Sequence, residues 1–254
     1  MRFLGGVLVL LPFAFATLAA GSACADPAPR PDAPPRADAP PRADAPARAD
    51  APARPTAPAA PVKIHQVFDI DREGNKIGAT TIDIERQNDA TTVKTVTDIS
   101  VKVMMFEAYR FEHTATETWK NGQLVAFKSR TNDNGTKHAI DVGPGPTPDK
   151  LKLDVDGKHS EVPKTIAPAS LWSKDIVNHP DLFEPANGKR LSIKAKDLGE
   201  ETLILRGVKH QTRHYRISDK TPGEFDRDLW FDGDLLVRMK LLGTDRSTII
   251  SDLR

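Results

Sequence analysis

The sequence is poor in the residues that usually build catalytic, metal-binding or nucleic-acid-binding sites. Among 254 residues there is one cysteine, Cys24, so the chain can form neither an internal disulfide nor a cysteine-rich metal centre. The 36 lysines and arginines nearly balance the 35 aspartates and glutamates, which argues against a nucleic-acid-binding protein. The chain has no G-x-S-x-G, H-E-x-x-H or phosphate-binding glycine motif. We therefore predict no catalytic residues, no metal site and no cofactor.

One long apolar run opens the chain. Residues 3–18 are nearly all apolar and follow a single arginine, but the run is too short and wrongly flanked for a membrane span. Small residues at positions 23 and 25 then form an A-x-A cleavage site. This pattern predicts that residues 1–25 are a signal peptide, cleaved between Ala25 and Asp26, and that the mature protein is periplasmic or secreted.

Cys24 leaves a second route open. A cysteine just after an apolar stretch can be acylated and become the first residue of a bacterial lipoprotein. Such proteins usually carry an aliphatic residue three positions earlier, where this chain has Gly21. The sequence therefore favours simple cleavage. A membrane-tethered lipoprotein is the alternative, and contact with a membrane is predicted only in that case.

Residues 26–61 repeat a six-residue unit close to R-A-D-A-P-P/A. The segment has no apolar side chain larger than proline, so it cannot form a hydrophobic core. Dense proline favours the polyproline II helix, in which six residues make two turns and the arginines of successive repeats share one face. We interpret the segment as a linker that is disordered or in polyproline II conformation.

Residues 62–254 carry the signals of antiparallel strands. Apolar and polar residues alternate, as in Ile99, Val101 and Val103 between Asp98, Ser100 and Lys102, and this period of two predicts half-exposed strands. Asn-Gly and Asp-Gly pairs, which close tight hairpins, recur between such runs. These pairs begin at Asn121, Asn134, Asp156, Asn187 and Asp232.

We predict one all-β domain over residues 62–254, with eleven or twelve strands. A single antiparallel meander would form a curved sheet, barrel or half-barrel, with one short helical segment within residues 167–178. A sandwich of two sheets is the alternative architecture. A stretch bounded by Pro163 and Pro180 is expected to cap one end of the sheet.

Several short segments of the β domain form a recognisable set. They are YRFEH at 109–113, ETWKNGQL at 117–124, TNDNG at 131–135, APASLW at 167–172 and DLWFDG at 228–233. Together they resemble an uncharacterised family of exported bacterial β proteins, over most of residues 64–253 and without the repeat segment in front. The family is a domain of unknown function, so the resemblance implies export and a shape similar to outer-membrane lipoprotein carriers and related envelope proteins, but no chemistry.

Apolar and aromatic side chains supply the candidate binding site. A cluster of methionine and phenylalanine after Val103 interrupts the alternation, and methionine adapts to varied apolar partners. Together with nearby aromatic and polar residues it predicts a pocket for an acyl chain or another lipophile. Ordinary core packing stays an alternative explanation. The candidate residues are Met104, Phe106, Tyr109, His113, Trp119, Ser170 and Trp172.

Two functions from different classes follow from these features. The favoured one is a non-catalytic envelope protein that binds a lipophilic small molecule. The alternative is a structural or assembly module that binds another envelope protein through its surface or a sheet edge. The first requires an internal cavity, whereas the second requires a filled interior with an exposed apolar patch or an open edge strand.

Overall fold

Tight turns at Asx-Gly pairs set the strand pattern of the folded domain. At Asn121-Gly122 and Asn134-Gly135 all four residues have positive φ, from 49° to 95°, a region that asparagine and glycine tolerate well. Each turn joins two strands that pair antiparallel. The computed structural model describes residues 60–221, 223 and 225–254. The predicted signal peptide and nearly all of the predicted linker therefore lie outside the described residues.

Fifteen strands and one 3-10 helix make up the described part of the chain. The first eight strands are β1 (Val62–Arg72), β2 (Asn75–Gln87), β3 (Ala90–Val103), β4 (Phe106–Lys120), β5 (Gln123–Asp133), β6 (Thr136–Pro144), β7 (Lys150–Val155) and β8 (Lys158–Pro163). The others are β9 (Ala167–Pro168), β10 (Asp181–Phe183), β11 (Arg190–Leu205), β12 (Val208–Asp219), β13 (Asp226–Asp232), β14 (Leu235–Leu242) and β15 (Thr248–Leu253). The 3-10 helix, Lys174–Asn178, lies between β9 and β10.

The strands form one sheet in the order β8-β7-β6-β5-β4-β3-β2-β1-β15-β14-β13-β12-β11-β10-β9. Neighbouring strands are antiparallel, except that β9 and β10 are parallel. Pairing of β1 with β15 joins two meanders, one from each half of the domain. The sheet ends at β8 and β9 and is not closed. The predicted all-β antiparallel fold is thus confirmed, and the alternative of two stacked sheets is wrong.

Two details of that prediction differ from the structure. There are fifteen strands instead of eleven or twelve, and two of the additional ones, β9 and β10, are only two and three residues long, too short to show an alternating pattern. The expected helical segment is reduced to the five-residue 3-10 helix. Ala167 lies in a strand instead, since a residue before proline is restricted to extended conformations.

A loop at residues 184–189 brings the two meanders together on the side away from β1 and β15. Ser129 Oγ on β5 donates a hydrogen bond to the Pro185 carbonyl at 2.8 Å. Gly188 packs so closely on β7 that a Cβ atom there would lie 2.4 Å from Val155 Cγ2, and its φ of 75° also favours glycine. The open sheet therefore curves back on itself and encloses a concave face.

The concave face holds the core. On β4, His113, Ala115 and Glu117 are buried whereas Thr114 and Thr116 between them are exposed, as the period of two requires. Residues from both meanders meet in the larger apolar cluster. Its buried members include Phe68, Ile82, Ile84, Val93, Leu182, Leu191, Ile193, Ile217, Leu229, Phe231 and Leu236.

The β11–β12 hairpin folds over the convex face. Leu203 and Leu205 near its turn pack with Trp230 and Val237 in a separate apolar cluster. The turn residue Arg206 forms an ion pair with Asp69 on β1. A hydrophobic contact and a charged contact thus hold the hairpin against the sheet from outside.

Asp69 is the centre of that charged contact. Its side chain is 7% exposed, and Arg254 and Lys76 reach it at 2.6 and 2.5 Å in addition to Arg206. Hydrogen bonds from Arg254 and Lys76 hold the pKa of the Asp69 carboxyl well below its usual value. The three cations satisfy a carboxylate that burial alone would destabilise.

Candidate ligand-binding site

The chain between β9 and β10 enters the concave side of the sheet, and we call residues 169–179 the plug. Leu171, Trp172 and Ile176 are buried in the larger apolar cluster, which also contains side chains of β1, β3 and β13. Backbone hydrogen bonds fix the start and the middle of the plug, from Ala169 N to Phe183 O at 2.8 Å and from Lys174 N to Asp234 O at 2.8 Å. The stretch predicted to cap the sheet therefore inserts apolar side chains into the concave side and leaves Asp175 and Asn178 exposed.

Glu117 anchors the plug from β4. Its side chain is fully buried, and Oε2 accepts hydrogen bonds from Trp119 Nε1 at 2.8 Å and from Trp172 Nε1 at 3.0 Å. Ser170 lies near the same carboxyl group, but Oε1 has no hydrogen bond of good geometry. Burial raises the pKa of Glu117, and the donors around it offset only part of that rise. The arrangement joins two tryptophans from distant segments through one carboxyl group.

A cleft of about 290 Å³ lies on one side of the plug. Trp119 contacts Trp172 edge-on, with ring centroids 6.3 Å apart, and His179 edge-on at 6.4 Å. The Arg86 guanidinium lies 6.0 Å from the Trp172 ring centroid. Asp175 accepts a hydrogen bond from Asn178, and its other oxygen lies 3.3 Å from His179 Nε2. The polar groups of this cleft are thus largely occupied by one another.

A larger cavity, of about 420 Å³, lies on the other side of the plug. Its size falls in the range typical of small-molecule sites, roughly 300–1,000 Å³. Most of its surface is apolar and comes from the concave faces of β1 to β4 and β13 to β15. The apolar lining includes Phe68, Ile70, Ile82, Ile99, Phe111, Ala115, Leu171, Phe225, Leu236, Met239, Leu241 and Ile249. Ser170 and Leu171 line both spaces, so the plug forms the wall between them.

A few polar groups are set into the apolar wall of the larger cavity. Thr80 and Thr97 are hydrogen-bonded to each other at 2.8 Å, whereas the buried Thr95 Oγ1 has no hydrogen-bond partner. His113 Nδ1 lies 2.8 Å from Thr131 Oγ1, and burial lowers the pKa of His113 from 6.5 to about 4. The imidazole is therefore neutral at pH 7.

Tyr109 lies farther along β4 on the same face. Its hydroxyl donates to Asp133 Oδ1 at 2.8 Å. Burial, reinforced by this bond, raises the pKa of Tyr109, so the phenol stays protonated. Tyr109 thus adds a ring to the cavity wall while its hydroxyl is directed to a partner on β5.

The structure brings together most of the predicted site residues, but in two groups. Tyr109 and His113 line the larger cavity, Trp119 and Trp172 line the cleft, and Ser170 lines both. Met104 and Phe106 are 94% and 78% exposed and line neither space, which corrects the expectation that they contribute to a pocket. Met104 has a φ of 56° in the turn between β3 and β4, and that turn explains the interrupted alternation.

Sequence reasoning missed Arg227, which lines the larger cavity from β13. Its guanidinium lies 4.4 Å from the Phe225 ring centroid, and Nη1 donates to the Asp226 carbonyl at 2.9 Å. The signal that could have found it is the alternation of Arg227 with Leu229 and Phe231, both of which are buried on the concave face. The period of two places the arginine on that face as well.

The described residues contain no group of three or more His, Cys, Asp and Glu side chains that could hold a metal ion. His210 and His214 on β12 pair with different aspartates, Asp232 at 2.8 Å and Asp228 at 3.2 Å. Among the described residues no helix is long and apolar enough to cross a membrane.

Comparison with known proteins agrees with this fold and adds no activity. No curated protein matches the chain. A crystal structure described as a beta-barrel-like protein of domain of unknown function DUF1849, from Brucella abortus, superimposes with a TM-score of 0.55. The match covers 75% of this chain and 94% of that chain at 8% sequence identity, so it shows likeness of fold alone. Residues 68–254 match the family described as Domain of unknown function (DUF6134), and the chain belongs to that family.

Proposed function

We propose that this is an exported cell-envelope protein that binds a lipophilic small molecule in the larger cavity. The observation that supports the proposal is a space of about 420 Å³ with a mainly apolar lining, inside a curved sheet that is not closed. Removing an apolar ligand from water into such a space contributes roughly 25 cal/mol per Å² of buried surface, before the costs of association.

The plug supports the same proposal. It separates the cavity from the cleft, and Glu117 fixes it through Trp172. The A-x-A site before Asp26 supports export to the periplasm or beyond, where a lipophile needs a carrier to cross water.

The experiment is a titration with N-phenyl-1-naphthylamine, an uncharged probe that fluoresces in apolar surroundings. Thr97 lines the cavity, and Thr97→Trp should fill part of it. Val96, the preceding residue on β3, is 51% exposed, so Val96→Trp is a matched control outside the cavity. We expect Thr97→Trp to weaken probe binding at least about tenfold and Val96→Trp to leave it unchanged. Equal binding by both folded variants would place the probe elsewhere and reject the cavity.

A second function is favoured by one observation. Met104 and Met105 are 94% and 92% exposed and Phe106 is 78% exposed, all at the β3–β4 turn. Apolar side chains concentrated at one exposed tip are typical of interaction sites. Under this alternative the domain is an assembly module that binds another envelope protein. A photoreactive residue in place of Met105 would then cross-link to one defined partner in the native host, and Phe106→Ser would abolish that cross-link.

A further inference from the structure

We propose that the ligand of the larger cavity is a single-chain lipophile with one anionic head group, carboxylate or phosphate, and that Arg227 binds that group. This inference rests on the proposed function, and it adds a charge requirement that burial of apolar surface does not supply. Arg227 is a cation in a wall that is mostly apolar.

Arg227 differs from most arginines of the described residues. Arg213, Arg216 and Arg238 on the neighbouring strands, for example, each form an ion pair with an aspartate. Arg227 is partly buried and has no carboxylate oxygen within 4.0 Å among the residues that the structure describes. Its one hydrogen bond to the protein goes to the neighbouring carbonyl of Asp226. Most of its five N–H donors therefore lack a protein acceptor.

Burial leaves this cation poorly compensated. Desolvation lowers the pKa of Arg227, and the neighbouring charges of Glu184 and Asp226 counter it only in part. Arg227 still carries its charge at neutral pH, because guanidinium is effectively always protonated. A buried charge without a partner is costly, and an anionic ligand would supply the missing one.

The nearby acidic groups already have other contacts. Glu184, which also lines the cavity, accepts a hydrogen bond from Asn187 Nδ2 at 2.9 Å. Asp226 forms a two-point ion pair with Arg216 on the convex side. Neither carboxylate is held against Arg227, so a ligand anion would not have to displace an existing salt bridge.

The remaining wall fits an apolar tail. From Arg227 the lining continues through apolar residues of β14, β15 and β1 to β4, interrupted mainly by threonines and His113. Because burial keeps His113 neutral at pH 7, it offers no second positive site for the head group. Thr95 Oγ1, buried without a partner, can donate one hydrogen bond to a polar atom of the ligand. One cation and a long apolar wall indicate one head group on one chain.

The test compares ligands that share a ten-carbon chain and differ in the head group. Decanoate, decyl phosphate and 1-decanol displace N-phenyl-1-naphthylamine from the full-length mature protein at pH 7.5. We expect decanoate or decyl phosphate to bind the wild type at least about tenfold more tightly than 1-decanol, as one charge-assisted hydrogen-bonded pair predicts. Which anion binds more tightly distinguishes a carboxylate from a phosphate ligand.

Three variants test whether the charge of Arg227 causes the preference for an anionic ligand. Arg227→Met keeps the apolar stem and should reduce the preference for the anion to within about twofold, while Arg227→Lys should keep much of it. Arg216→Met removes a convex-face arginine and should leave the preference unchanged. Equal affinity of the wild type for the three ten-carbon ligands would overturn the inference while the proposed function stands. If neither the dye nor any of the three ligands binds the wild type, both are overturned.

Discussion

Trp172 Nε1 donates a hydrogen bond to Glu117 Oε2 at 3.0 Å, across 55 residues of sequence. Because Glu117 lies on β4 and Trp172 lies in the plug, this bond joins the sheet to the segment that divides its interior. The same carboxyl oxygen also accepts from Trp119 Nε1 at 2.8 Å. The cavity on the far side of the plug depends on this contact for its inner wall.

Replacing Glu117 with alanine should lower the free energy of unfolding by roughly 3 kcal/mol, because it leaves two indole N–H groups without their acceptor and opens a void. Urea unfolding followed by tryptophan fluorescence measures the change. Glu112→Ala is the matched control, since Glu112 lies on the exposed face of the same strand and pairs with Arg110. That change should cost much less, because an exposed ion pair contributes little to stability. Equal stability of the two variants would mean that Glu117 does not anchor the plug.

The stability of the domain should depend on pH through His113. Its pKa is about 4 in the folded protein and 6.5 when unperturbed, so the unfolded chain binds the proton first as pH falls. Folding stability should therefore be fully present above pH 6.5 and should fall between pH 6.5 and 4, by up to about 1.4 kcal/mol per pH unit. Unfolding curves of the wild type and His113→Gln across this range test the assignment. If the free energy of unfolding depends on pH in the same way in the wild type and in His113→Gln, His113 is not the group responsible.

The Asp69 contact predicts a different acid transition. Hydrogen bonds from Arg254 and Lys76 lower the pKa of Asp69 in the folded state. The contribution of Asp69 to the free energy of unfolding is therefore present above the unfolded pKa of about 3.8 and is lost as pH falls below that value. At neutral pH Asp69→Asn should cost about 2 kcal/mol. Asp71→Asn, two residues along β1 at a position without an ion pair among the described residues, should be close to neutral. A neutral Asp69→Asn would mean that the hairpin is held by its apolar contacts alone.

Processing of the N-terminus gives a prediction independent of the fold. Protein expressed in its own host should begin at Asp26, and intact mass spectrometry of the envelope fraction reads the first residue directly. A mass that begins at an acylated Cys24 would instead identify a membrane-tethered lipoprotein.

The sequence predicted the sheet better than it predicted the site. Alternation such as Ile99, Val101 and Val103 and the turn at Asn121-Gly122 are local signals, and they are sufficient for antiparallel strands. The pairing of β1 with β15 and the packing of the 184–189 loop on β5 and β7 join residues far apart in sequence. No local pattern encodes such contacts, so whether the sheet closes could not be deduced.

The sequence likewise placed some of the candidate site residues correctly and others not. Tyr109 and His113 share the concave face of β4 by simple alternation, and the sequence places them together. Met104 and Phe106 break that alternation because Met104 turns the chain at positive φ, and such a break in the pattern does not distinguish a turn from a pocket. Arg227 was overlooked because a charged residue is normally assigned to the solvent face, although its spacing from Leu229 places it inside.

Native mass spectrometry of the protein purified from its own host's envelope tests the central claim most directly. The account predicts an added mass of one small molecule that survives gentle ionisation and disappears on denaturation. The variant Thr97→Trp should carry much less of it, whereas Val96→Trp should carry it as the wild type does. A folded wild type that shows only its own mass would contradict the binding proposal and would direct the search to a protein partner.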